Sequence, residues 1–543
     1  MRFLSVVVVT ILALFSAAVA QKPTPQKSKP AAQQAPAKES ETKPSTAEAA
    51  TPQKNAEPAK SGEDKEEHFD MTEVAPIVTH HQITIEGKAL RYTATAGRLP
   101  IKRGDGKIEA EMFFVAYTLD GEDIAKRPLS FAFNGGPGSA TVWLHMGALG
   151  PKHVVLQPNG FMPAPPFRSA DNPYTALSRT DLVMVDAIGT GFSRAAGDEE
   201  LKKFLGVKGD IGAFGEFIRA YLTRYDRWGS PLFLIGESYG TTRAAGVAGY
   251  LVDNGITFNG ITLLSTVLNF ETLEFTKTND LPYELIIPSY TMIAAYHKKL
   301  APELMQDLAK TRAEVEHWAA NEYAQALGKG DAMTPQERQT VIEQMARYTG
   351  LSKEIIDQAN LRIDVSKFTH NLLLGQKVRV GRLDGRFTGP DPEGLLDTRF
   401  YDPSMTGPLS PYTAVFNNYV RTELGYKTDM PYKVFAFQGG SEFKWEWGSA
   451  EEGFADTASA LRQAITKNPY MKVLVMEGYY DLATPYYAAN YTMDHLDLPP
   501  NLRSNISFST YDAGHMVYID TPSLAKFSRD LTAFIDKSLA GGQ

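Results

Sequence analysis

The strongest signal along the chain is a series of short, continuously apolar runs closed by turn residues. Residues 129–133, 181–186, 231–235, 261–267 and 472–477 are of this kind, and residues 506–511, more mixed in composition, read as a last strand. The first five are filled with Val, Ile, Leu and Phe, as strands buried on both faces of a parallel sheet are. Residues 211–225 carry apolar positions at helical spacing between the second and third runs, and residues 522–539 form an amphipathic helical pattern that closes the chain. Strand and helix in alternation predict a mostly parallel sheet flanked by helices. Ahead of them, residues 77–85, 90–94 and 108–117 are β-rich and separated by glycine-containing turns, which predicts an antiparallel start to the same sheet. From about residue 272 to residue 430 the rhythm breaks into helical patterns, among them 302–327 and 335–348, the latter with Thr334 as an N-cap. No parallel strand is legible there. The segment 272–430 is expected to be a mainly helical cap inserted into a main domain built from residues 69–271 and 431–543.

The N-terminal end is different in kind. Residues 1–20 run from Met1-Arg2 through an apolar stretch to Ala17-Ala18-Val19-Ala20, the order of a secretory signal with a small-residue cleavage site. The apolar run is short for a bilayer span, so no stable membrane insertion is expected after cleavage. Residues 21–68 are Pro, Ala, Lys, Glu, Gln, Ser and Thr with almost nothing to bury, and are expected to be a disordered linker. An exported protein, periplasmic or secreted, follows. The 543-residue chain has no cysteine, so a large packed core rather than disulfides must hold it together. Its formal net charge of -8 offers no basic face for nucleic acid.

The run 231–235 leads into Gly236-Glu237-Ser238-Tyr239-Gly240 and then into a helical pattern. A strand, a Gly-x-Ser-x-Gly turn and a helix in that order make a nucleophile elbow, which projects the serine hydroxyl from the sheet edge. Ser238 is the candidate nucleophile. The run 129–133 ends at once in Asn134-Gly135-Gly136-Pro137-Gly138, where bare backbone amides could approach a substrate oxygen. Acyl transfer by serine also needs a base and a carboxylate to orient it. Asp481 follows the run 472–477 and His515 follows the run 506–511. Ser, Asp, His, each just after a buried strand, is the order of the α/β-hydrolase fold. Of ten histidines only His515 stands in such a loop; His80 and His81 are adjacent in a strand, so they face opposite ways and do not read as a metal site.

Asn134 to Gly138, residues 186–193, Gly236 to Gly240, residues 478–481 and Gly514-His515-Met516 together resemble, in order and spacing, the signature blocks of the serine carboxypeptidases, peptidase family S10. The resemblance runs from residue 131 to the C-terminus, apart from the inserted segment. It implies a serine-type carboxypeptidase that releases C-terminal residues from peptides through an acyl-enzyme, favoured at acidic pH, with no cofactor and no metal. By the same resemblance the oxyanion hole is formed by the amides of Gly136 and Tyr239, and the free C-terminal carboxylate of the peptide is held by Asn134, Gly135 and Glu237. A protonated Glu237 donates to that carboxylate, whereas an ionised one repels it. The chain departs from the family where Ala132 replaces a Trp, Ser139 a Cys, and Ala148 a second Glu. Without that partner carboxyl, Glu237 is expected to titrate lower than in relatives. An esterase or acyltransferase on the same scaffold remains the alternative, since fold and triad do not choose the acyl acceptor. Tyr239, Tyr479, Tyr480, Tyr486, Tyr487 and Met516 stand near these blocks in sequence, and either an aromatic pocket or ordinary core accounts for them.

Overall fold

The computed structural model describes residues 68–85, 87–391, 401–437, 444–448 and 453–540, all within the compact unit Lys65–Gln543. The expected signal segment and linker residues 21–67 lie outside the described residues. Nine strands make the main path of one sheet: β1 (Ile77–Ile85), β2 (Lys88–Lys102), β3 (Ile108–Leu119), β4 (Leu129–Phe133), β5 (Asp181–Val185), β6 (Leu232–Glu237), β7 (Gly260–Leu264), β8 (Lys472–Gly478) and β9 (Ile506–Tyr511). Their spatial order is β1-β2-β3-β5-β4-β6-β7-β8-β9, with Arg194–Ala195 pairing to β3. The first three strands are antiparallel neighbours and β3 meets β5 antiparallel; from β5 onward every pair is parallel. Every residue of β4, β5, β6 and β7 is buried, which explains why those runs read as solidly apolar instead of alternating. The chain thus has the α/β-hydrolase architecture expected from the sequence.

The longer helices are α1 (Val207–Arg224), α2 (Tyr239–Asp253), α3 (Leu281–Tyr296), α4 (Leu308–Trp318), α5 (Pro335–Thr349), α6 (Pro403–Thr422), α7 (Ala458–Lys467), α8 (Tyr486–Asp494) and α9 (Thr521–Ala540). One core lies between the sheet and α1, α2 and α7, through residues such as Phe131, Phe217, Val247 and Leu461. A second lies on the opposite face against α6 and α9, with Ala132, Phe416 and Phe527. A third cluster is built from α3, α4 and α5, with Tyr290, Val315 and Met345, and takes in Tyr480 and Leu482 from the loop after β8. Within the 272–430 segment, then, α6 packs into the core of the sheet while the helices before it form a core of their own.

Element boundaries moved where tertiary contacts act. Helix α1 starts at Val207, earlier than its apolar periodicity, because the Val207 amide donates to the Glu446 carbonyl 3.2 Å away. Strand β7 stops at Leu264, since Ser265 takes a φ of 52° and leaves the sheet. The 302–327 pattern is interrupted: Asp307 caps a fresh helix, α4, by accepting from the Lys310 amide. Thr334 does cap α5, and the Glu337 carboxylate returns the bond by accepting from the Thr334 amide at 2.8 Å.

Candidate active site

Strand β6 ends at Glu237, Ser238 adopts φ 60° and ψ -132°, and α2 begins at Tyr239. Such a left-handed serine is strained, and the turn holds it by close packing. A Cβ on Gly236 would stand 2.1 Å from the Gly240 carbonyl oxygen, so no side chain fits under the turn. The loop after β4 lies directly on this turn: a Cβ on Gly135 would come within 2.4 Å of the Tyr239 amide nitrogen. That amide opens a helix and so has no intrahelical acceptor. Close approach therefore brings the Asn134–Gly136 backbone and the start of α2 together.

The loops after β8 and β9 supply the other two groups. Asp481 is fully buried and saturated: Oδ1 accepts from the Ala483 amide at 2.7 Å and the Thr484 amide at 3.1 Å, while Oδ2 accepts from the Thr484 hydroxyl and from His515 Nδ1, each at 2.7 Å. With Nδ1 bonded to a carboxylate, Nε2 is the ring nitrogen left to accept a proton. The His515 backbone is held at both ends, its amide donating to the Leu383 carbonyl and its carbonyl accepting from the Ser265 hydroxyl, both at 2.6 Å. The early exit of the chain from β7 at Ser265 is what places that hydroxyl. Burial works against a charged imidazole, but the Asp481 charge and hydrogen bond, with the charge of Glu237, outweigh it and raise the His515 pKa.

Glu237 is buried at the end of β6, and burial pushes its pKa up to about 7. Its Oε2 accepts from Asn134 Nδ2 at 2.8 Å and from the Tyr518 hydroxyl at 2.7 Å. Both bonds favour the ionised form, yet desolvation dominates. The carboxyl is thus held well above the usual range without a second carboxylate beside it. On the Ala148 side, Tyr518 lies against Gly147, where a Cβ would be 2.5 Å from its ring. Asn134 is fixed in turn, Oδ1 accepting from the Leu144 amide at 2.9 Å and its carbonyl from Arg243 Nη1 at 2.6 Å. Arg243, on α2, forks onto Asp210 of α1 at 2.8 and 3.1 Å and stacks over Phe214, all fully buried.

Asn134, Gly135, Gly136, Glu237, Ser238, Tyr239 and His515 line one cavity of about 250 Å³, with Asp481 behind His515. Its remaining wall is largely apolar, including Trp143, Phe270, Met405, Phe435 and Met516. Of the tyrosines near the sequence blocks only Tyr239 lines it; Tyr480 belongs to the core of α3–α5, and Tyr486 donates to Glu316 at 2.7 Å. From the 272–430 segment the cavity is lined by Leu273, Arg382, Leu383 and Met405, not by α3, α4 or α5. A larger cavity of about 520 Å³ at the start of α1 contains none of these groups. Sequence reasoning missed Tyr518, which bonds Glu237, Ser265, which bonds the His515 carbonyl, and Arg382, which lines the cavity; these contacts exist only through space. Arg243 did leave a trace, as a lone charge in the small and apolar run 239–249.

The chain also resembles known proteins. Residues 91–510 match the model of the Peptidase S10 family, serine carboxypeptidase. The fold is similar to the crystal structure of Kex1(delta)p, a prohormone-processing carboxypeptidase from Saccharomyces cerevisiae, with a TM-score of 0.50 at 17% identity over 82% of this chain and 91% of that one. Proline iminopeptidase from Mycobacterium smegmatis aligns with a TM-score of 0.34 at 14% identity over 82% of this chain and 100% of that one. A search of curated protein sequences returned no match.

Proposed function

The chain belongs to the serine carboxypeptidase family, and on that premise we propose that Ser238, His515 and Asp481 release single residues from the free C-termini of peptides by way of an acyl-enzyme. The observation that carries the reading is the His515–Asp481 hydrogen bond of 2.7 Å behind a cavity that also holds Ser238 and Glu237, whose pKa burial raises. In this scheme Ser238 Oγ attacks the scissile carbonyl carbon as His515 Nε2 takes the hydroxyl proton, and Asp481 stabilises the imidazolium. The amides of Gly136 and Tyr239 donate to the oxyanion. The tetrahedral intermediate collapses by breaking the C–N bond, and His515 returns the proton to the departing amine, which leaves as the free C-terminal amino acid. Water then repeats the sequence on the ester and regenerates Ser238.

Asn134 Nδ2, the Gly135 amide and protonated Glu237 hold the terminal carboxylate of the substrate. This part of the reading sets the pH range: Glu237 must keep its proton, so activity falls as pH rises through about 7 and is favoured on the acid side. The segment 272–430 serves as an insertion that contributes Leu273, Arg382, Leu383 and Met405 to the cavity wall. Export to the periplasm or the medium fits the N-terminal signal pattern.

The test compares an N-blocked dipeptide with its C-terminal amide and its simple ester, alongside fluorophosphonate labelling. Selective cleavage of the free acid, with labelling lost in Ser238→Ala and turnover reduced roughly 10³-fold or more, supports the assignment. Equal rates on acid, amide and ester would remove the carboxylate-reading role, and labelling that survives Ser238→Ala would remove the nucleophile.

A further inference from the structure

Among the described residues, Arg382 is the one Lys or Arg that lines the Ser238 cavity. Its side chain is exposed and makes no hydrogen bond or ion pair with any described residue. Nearby charges are already engaged elsewhere. Arg386 is paired with Asp384 at 2.7 Å and Asp520 at 3.5 Å. Asp402, the carboxylate bonded to this segment, accepts from the backbone amides of Arg382 at 3.1 Å, Leu383 at 3.3 Å and Ser404 at 2.9 Å, and from the Ser404 hydroxyl at 2.5 Å.

The backbone of Arg382 is fixed where its side chain is free. Its carbonyl accepts from the Leu482 amide at 3.0 Å, in the turn that carries Asp481, and the carbonyl of the next residue, Leu383, accepts from the His515 amide at 2.6 Å. The segment is therefore tied to both loops of the proposed catalytic pair, whereas Asn134 and Glu237 stand at the ends of β4 and β6. A guanidinium with five donors and no described partner, standing at a cavity whose other walls carry no second Lys or Arg among the described residues, is complementary to a carboxylate.

We propose that Arg382 is a specificity residue that pairs with the acidic side chain of a peptide residue flanking the scissile bond, so that Asp- or Glu-bearing C-terminal sequences are the preferred substrate class. The proposal rests on the peptidase reading for the nature of the ligand. The C-terminal carboxylate itself goes to Asn134 and Glu237, and Arg382 reads a second one. Its field opposes protonation of His515, and a bound carboxylate would relieve that opposition.

Binding can be measured without turnover in Ser238→Ala, by calorimetry at low salt, with N-blocked tripeptides that differ only in Glu against Gln at the last or the penultimate position. A Kd about 10-fold lower for the Glu peptide at one of these positions is expected for a partly desolvated pair. The ratio should fall to about one when Arg382→Gln is added, survive Arg382→Lys in part, and turn in favour of a Lys peptide with Arg382→Glu. Equal Kd values for Glu and Gln at both positions, absence of binding by either peptide, or a preference that persists in Arg382→Gln would overturn the proposal. Turnover by the wild-type enzyme is scored separately. Cleavage without acid preference leaves the peptidase reading standing and this one fallen; acid-selective, Arg382-dependent binding with no peptide cleaved does the reverse.

Discussion

In the proposed mechanism, a carboxyl that must stay protonated beside an imidazole that must not sets the behaviour of this site at the scale of single residues. Glu237 is pushed up to about 7 by burial, and its charge helps raise His515. The working form, neutral His515 with protonated Glu237, holds the same number of protons as the unproductive pair of imidazolium and carboxylate. The two groups therefore titrate together, and pH alone does not separate those forms. Glu237→Gln removes the charged alternative. The kcat/KM profile is expected to widen on both sides: the alkaline fall near pH 7 disappears, and the acid limb moves to lower pH because His515 loses one source of its upward shift. A pH-rate series reads this directly, and an alkaline limb left where it was would show that Glu237 does not bind substrate. The Glu was legible in sequence because it stands in the elbow motif. Tyr518, its second hydrogen-bond partner, was not, because nothing in Met516-Val517-Tyr518 announces a phenol aimed at a residue 281 positions away.

At the scale of elements, the elbow is held by what α2 does one turn later. Arg243 joins α2 to Asp210 on α1 and to the carbonyl of Asn134 after β4, so one buried side chain fixes three elements around Ser238. Burial pushes the Asp210 pKa up, and the Arg243 charge and hydrogen bonds oppose it. Arg243→Met leaves that carboxylate unpaired and should cost about 3–5 kcal/mol in a denaturant melt, as removal of one partner from a buried pair does. The double variant Arg243→Met with Asp210→Leu should recover a large part of this loss. If the single and double variants melt alike, the pair contributes nothing to the junction. Strands β4 to β7 were readable because each is buried along its whole length and so mostly apolar. Their neighbours were less so: α1 begins where Glu446 accepts its first amide, and α4 begins where Asp307 interrupts a continuous helical pattern. Local periodicity cannot report either contact.

At the scale of the whole molecule, another buried acid stands out on β8. Glu477 is fully enclosed, neither carboxyl oxygen has a hydrogen-bond partner, and burial raises its pKa well above the ordinary value. A carboxyl whose folded pKa is raised contributes stability that is complete below its unfolded pKa and is lost as pH climbs toward the folded one. Glu477→Gln has no such proton to lose. The difference in Tm between variant and wild type should therefore shift in favour of the variant between pH 4 and pH 8, by about 1–3 °C, and a difference that stays constant across that range would mean the carboxyl is not buried in solution. The strand–helix rhythm made the α/β architecture legible at this scale, but not the allegiance of the 272–430 segment, in which α6 completes the core of the sheet while α3, α4 and α5 build their own. Apolar positions identify a helix face without naming what it faces. The buried fork from Arg243 to Asp210 and Asn134 has one more consequence. In a chain with no cysteine, the fastening of the loop after β4 to its helix is made of charge and packing, so the site assembles without an oxidant and is indifferent to whether the compartment in which the chain folds is reducing or oxidising.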